Sequence, residues 1–180
     1  MSQPQLLIPS CPALLANLLR VAPLGPISLS LTACSRRIAK RHPGLFRRLG
    51  AYSGKRFILD PTDLPIVLCL DTNNGHPSVR VTRTPCAGAA RISGPLAALL
   101  GLVHGVYDGD ALFFSRDLVI EGDTAAALAL RNAVDDAELD LALEIAAMSG
   151  PLARPLKHFV GMVERRTGVC LTRPEEAAAW

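Results

Sequence analysis

Apolar positions along this chain follow two different periods, and the change falls near residue 53. Before it the spacing is helical. Leu14, Leu15, Leu18, Leu19 and Val21 give residues 11–24 more than one apolar face, and Ser10 as N-cap, Pro12 in the first turn and Pro23 as the stop predict a short helix. A second helix is expected from Ile27 to about Arg41, after Gly25-Pro26, with basic residues at its C-terminus where the helix dipole favours them. Pro43-Gly44 breaks the pattern, and Leu45 to Tyr52 reads as a short basic turn or helix. From Lys55 the pattern is that of strands: Arg56–Leu59, closed by Asp60-Pro61; Ile66–Asp71; Val79–Arg83, with Arg80 and Arg83 near solvent; and a weaker Ala89–Ser93. Asn74-Gly75 predicts a hairpin between the second and third. Pro95 to about Val106 is an apolar helix, and Phe113 to Ile120 a fifth strand. Gly122 then permits a tight turn, and Asp123 is placed to cap a helix from Thr124 whose Ala127, Leu130, Val134, Ala137 and Leu141 share one face. Pro151 to Thr167 is a last helix, and the tail from Arg173 is expected to be loose. Strands in a run with helices on one side predict an α+β domain.

A chain of 180 residues holds one domain plus an appendage. The expected division is a basic amphipathic helical segment over residues 1–52, a domain over 53–170, and a tail over 171–180. Charge sharpens that division. Residues 1–60 carry nine Lys or Arg and a single acid, Asp60, whereas the rest carries ten basic and fifteen acidic side chains. One end therefore seeks an anionic surface. Two short apolar helices bearing Arg36, Arg37, Lys40, Arg41, Arg47 and Arg48 suit a membrane interface; the alternative is a helical lid with its cations in water. Nucleic acid is not expected, for want of a binding motif and of stacking aromatics.

Five scattered cysteines without a C-x-x-C predict reduced, buried thiols rather than a disulfide or a zinc site. The first residues lack a secretory pattern, and the longest apolar runs fall short of the ~20 residues that span a bilayer, so an intracellular, soluble or peripheral protein is expected. Catalysis finds little support. His42, His76, His104 and His158 have no metal-ligand spacing, Asp108 and Asp110 read as loop-formers, as do Glu121 and Asp123 at the later corner, and Ser115 has neither a partner base nor a nucleophile motif. No cofactor is implied.

The run Leu-Phe-Phe-x-Arg-x-Leu-Val-Ile-Glu-Gly-Asp-Thr, from Leu112 to Thr124, is more specific than any of these features, together with the following Leu-x-x-x-Asn and Asp-Ala-Glu-Leu. It resembles the sterol carrier protein type 2 family, and within it the accessory factors of ubiquinone biosynthesis. The likeness is strongest over residues 55–140; a looser one covers Val21-Ala-Pro-Leu-Gly-Pro26 and Gly54-Lys55-Arg56-Phe57. The resemblance implies a five-stranded sheet layered with helices around an apolar lipid tunnel. Its walls would be Phe57, Leu59, Leu68, Leu70, Val79, Val81, Leu99, Leu102, Val103, Leu112, Phe114, Val119 and Leu128, although periodicity alone does not separate such walls from a filled core. Arg116, Arg131 and Asn132 are candidates for a head-group contact at the mouth. The implied ligand is a polyprenylated quinone precursor or a phospholipid. The implied partners are an anionic membrane surface and ubiquinone-pathway enzymes, namely oxygen-independent hydroxylases of the UbiU-UbiV type and methyltransferases. The implied location is cytoplasmic, at the inner membrane. A general phospholipid or sterol-type carrier is the alternative, and a small hydrolase or transferase using an apolar pocket is the rival from another class.

Overall fold

A computed structural model describes residues 11–104 and 117–137. Helix α1 spans Ala13–Val21, α2 Leu24–Arg41 and α3 Pro43–Leu49, with a 3-10 turn at Gly50–Tyr52. Strands β1 (Arg56–Pro61), β2 (Val67–Asp71), β3 (Ser78–Thr82) and β4 (Ala90–Gly94) follow, then α4 (Leu96–His104), β5 (Val119–Gly122) and α5 (Thr124–Ala137). Several boundaries differ from the sequence reading by a residue or more, and two of them have a clear physical reason. Helix α2 begins three residues before Ile27, because Pro26 lies in its first turn, where a missing amide hydrogen costs nothing. Among the described residues β5 begins only at Val119, since Asp117 and Leu118 form a bend, so the expected strand does not run unbroken to Ile120.

The strands form one sheet in the order β3-β2-β1-β4-β5, with β1 and β4 parallel and every other pair antiparallel. The β2–β3 hairpin turns through Asn73, Asn74 and Gly75, all with positive φ, rather than through a two-residue loop. Thr72, just before it, is buried, and its Oγ1 lies 2.7 Å from Ser53 O and 2.8 Å from Lys55 O. The connection from β3 to β4 joins parallel strands on either side of β2 and β1, so residues 83–89 must return across a sheet face. They cross the face opposite the helices, where Cys86 forms a disulfide with Cys69 and packs beside Ile58 and Val67. A Cβ on Gly88 would lie 2.8 Å from both Arg56 O and Ile58 Cγ1, so only glycine lets the loop lie this close. The bridge corrects the expectation of five reduced thiols. Cys69 and Cys86 are far apart in spacing terms and adjacent only because the chain returns over β2.

The main core lies on the other face. It joins Phe57, Ala90 and Ile92 to Leu99 and Leu102 of α4 and to Ala126, Ala127, Leu130 and Ala133 of α5. It also reaches back to Cys34 and Ile38 of α2 and to Leu45 and Leu49 of α3. The corner before α5 is built as its sequence suggests. Gly122 has φ +84, a Cβ there would lie 2.6 Å from Ala89 O, and Asp123 Oδ1 accepts from Ala126 N at 3.0 Å.

Candidate functional site

Strand pairing aligns Val79, Leu70, Phe57 and Ala90 across the helix-covered face, and beside them Val81, Leu68, Leu59, Ile92 and Ile120. Phe57, Val81, Ala90 and Ile92 are buried, whereas Leu59, Leu68, Leu70, Val79 and Ile120 are only half-buried. The reason is the placement of the helices. Helices α4 and α5 lie over β1, β4 and β5, α2 lies along β3, and no described helix packs extensively on β2. Leu68 and Leu70 sit on a strand paired on both sides, so their incomplete burial leaves an apolar strip that a hydrophobic ligand would cover. Covering such surface is worth roughly 25 cal/mol per Å².

The structure thus brings Phe57, Leu59, Leu68, Leu70, Val79 and Val81 onto one face, with Leu99, Leu102 and half-buried Val103 on α4 nearby. Two proposed wall residues are placed elsewhere. Val119 pairs with Ser93 on the opposite face and is 50% exposed; its neighbour Ile120 points inward instead. Leu128 lies about half a helical turn from Ala126, Leu130 and Ala133 and is 41% exposed. Leu112, Phe114, Arg116 and Leu141, and the helix expected at Pro151 to Thr167, lie outside the described residues. Arg131 faces Asp135 one turn on, Nε to Oδ2 at 3.5 Å, and Asn132 is exposed. The sequence reading missed Ile92 and Ile120; counting by twos back from Gly122 would have found the second.

The N-terminal helices are held by polar groups. Ser28, Thr32 and Arg36 recur every four residues along α2 and meet alternate residues of β3 and the chain before it. Ser28 Oγ accepts from Val81 N at 2.9 Å. Thr32 Oγ1 accepts from Val79 N at 2.9 Å and donates to Val79 O at 3.0 Å. Arg36 Nε donates to Pro77 O at 3.3 Å. Four helical residues rise about 6 Å and two strand residues about 6.6 Å, so helix and strand stay in step across three contacts. The edge amides of β3 are thereby satisfied. Beyond β3, the Arg83 guanidinium donates to Leu19 O at 2.7 Å and Ala22 O at 2.6 Å, closing the C-terminus of α1. Of the six candidate membrane-surface cations, Arg36 is thus also a tether and Arg37 is half-buried, while Lys40, Arg41, Arg47 and Arg48 are exposed; Arg37, Arg41 and Arg48 engage in further contacts.

Most of the acids near the sheet have structural tasks. Asp63 accepts from Cys11 N at 2.8 Å and from Leu96 N at 2.9 Å, anchoring the start of α1 and capping α4. Burial, and then Asp63, push the Cys11 thiol up. On the polar sheet face Asp71 accepts from Arg56 at 2.7 Å, which raises the Arg56 pKa, and Arg91 bridges Asp60 and Glu121. Among the described residues no group of three His, Cys, Asp or Glu could hold a metal ion.

A sheet with ion pairs and a disulfide-closed loop on one face, and one apolar face incompletely roofed by helices, defines a small α+β protein of the kind that shelters hydrophobic ligands. The chain belongs to the SCP-2 sterol transfer family, whose model matches residues 36–135, from the last third of α2 to the last turn of α5. One solved structure agrees in fold, and a second is similar in part. A UbiJ-SCP2 ubiquinone synthesis protein is 18% identical with a TM-score of 0.53, covering 65% of this chain and 96% of its own. Sterol carrier protein 2 from Yarrowia lipolytica, in its apo form, is 16% identical with a TM-score of 0.45, covering 66% and 97%. Among curated proteins none matches the sequence.

Proposed function

We propose that this chain is a non-catalytic lipid carrier of the UbiT type, an accessory factor in oxygen-independent ubiquinone biosynthesis. It holds a polyprenylated intermediate against the inner sheet face and presents it to pathway hydroxylases and methyltransferases at the cytoplasmic side of the inner membrane. The carrying observation is the apolar strip of Leu59, Leu68, Leu70 and Val79, left half-buried across β1, β2 and the edge strand β3 in a family of sterol transfer proteins. The quinone branch rests on the Leu112–Thr124 segment, and the fold shared with a ubiquinone synthesis protein supports that choice. The energetics suit the role. Each buried methylene contributes roughly 0.8 kcal/mol, so a few prenyl units offset an association cost of roughly 4–15 kcal/mol.

Native mass spectrometry of the purified chain, followed by organic extraction, tests this directly. The expected result is a bound species whose extracted ligand is a prenylated phenol or quinone. A phospholipid alone would replace the quinone assignment with general phospholipid carriage, and a ligand-free chain that takes up neither would overturn the carrier reading.

A further inference from the structure

Helix α1 contains no buried residue. Its half-buried positions, Ala16 and Leu19, face the body of the protein, and Arg83 clips its C-terminal carbonyls. The opposite side carries Leu14, Leu18 and Val21, which are 83%, 61% and 82% exposed. Spaced by four and three, they form one continuous aliphatic stripe. Helix α2 leaves at a bend of 108° and adds Leu29, 72% exposed, on a face it shares with Ala33, Arg36 and Lys40. The tethers to β3 and the Arg83 clip hold both helices in place without burying any of these side chains.

We infer that α1 is a bilayer-docking element. Leu14, Leu18 and Val21, with Leu29 beside them, enter the acyl boundary of an anionic membrane, and Arg20 and the outward cations of α2 meet the lipid head groups. The inference rests on the carrier reading above and names the surface by which the carrier reaches its membrane. Charge decides among occupants. The first fifty-nine residues contain no acid, so a second copy would set cations against cations, whereas an anionic leaflet complements them. The stripe is purely aliphatic and lacks the aromatic anchors that dominate protein–protein contacts. Neither helix alone is long and apolar enough to cross a membrane, and although the bent pair together has the length, α2 is tied along β3 by Ser28, Thr32 and Arg36, so α1 lies along the surface. Residues 36–135, which match the family, leave out this helix and the first two-thirds of α2; the aliphatic stripe therefore lies outside the matched span, and Arg36 and Lys40 lie at its start. Helix α1 and the residue leading into it are tied to Arg83, just past β3, and to Asp63, between β1 and β2, so the helix sits at the end of the sheet where β3 finishes and β2 begins.

The test uses the full chain with vesicles of phosphatidylcholine mixed with phosphatidylglycerol, and with phosphatidylcholine alone. Wild type binds the mixed vesicles, and the Leu14→Gln/Leu18→Gln/Val21→Gln variant binds them roughly tenfold or more weakly, with an unchanged melting temperature because no core residue is altered. In a Trp180→Phe background, Leu18→Trp emission shifts to the blue on mixed vesicles and is quenched by brominated acyl chains. Unchanged binding by the triple variant, or an unshifted and unquenched Trp, overturns the inference. So does a wild-type dimer that the triple variant converts to monomer, which would assign the stripe to a second copy. Mass spectrometry separates the two readings: lost vesicle binding with retained ligand supports docking by α1, whereas vesicle binding by a chain that takes up no lipid overturns the carrier reading alone.

Discussion

Leu68 and Leu70 show how a single position distinguishes ligand contact from core. Both are apolar, both were legible in the alternation of β2, and only the helix layout reveals that they stay half-buried. A Leu68→Gln/Leu70→Gln variant should remain folded, with a modest fall in melting temperature, and lose most of the lipid that co-purifies with wild type. Leu102→Arg is a different experiment. Leu102 is 8% exposed within the α4–α5 core, so a charge there should unfold the protein, at a cost of several kcal/mol. Val119 and Leu128 show why single residues resist sequence reading. Val119 is one residue out of step with inward-facing Leu118 and Ile120, and a position half a helical turn away turns a core leucine into a surface one. Thr32 offers the sharpest polar test. Thr32→Val keeps the shape and leaves both Val79 backbone groups without their partner, which should cost about 1–3 kcal/mol by chemical denaturation.

Among elements, the strands and the Gly122–Asp123 corner were legible because period, turn chemistry and capping agree there. The packing of α2 on β3 was not. Serine and threonine inside a helix are locally unremarkable, and their role appears only once an edge strand lies alongside. The loop 83–89 was equally opaque, since its path over β2 follows from sheet order, not from cysteine spacing. The Cys69–Cys86 bridge closes a segment of 17 residues, for which the chain-entropy account gives about 3 kcal/mol. Thermal unfolding with and without a dithiol reductant should therefore differ by several degrees, and Cys86→Ser should remove that difference. Equal transitions in both conditions would show that the loop is held by Gly88 and its neighbours alone.

For the whole molecule, the basic N-terminal helices contribute side chains to the same core as the sheet and the later helices. Cys34, Ile38, Leu45 and Leu49 belong to the central core, and the family match begins at residue 36. What remains outward is a set of cations on one side and a two-faced sheet behind them. Lys40→Glu with Arg47→Glu should weaken attachment to anionic vesicles and flatten its salt dependence, without the loss of stability expected when Arg36 is included and its contact with Pro77 is lost. Binding indifferent to salt in both proteins would remove the electrostatic contribution. The seam between α2 and β3 also bears on solution behaviour. A strand whose flank is already occupied by hydroxyl groups offers no template for polymerisation, so fibrillar growth from that border is blocked while Ser28 and Thr32 are in place. Removing both would unseal that border, and seeded aggregation would be its first symptom.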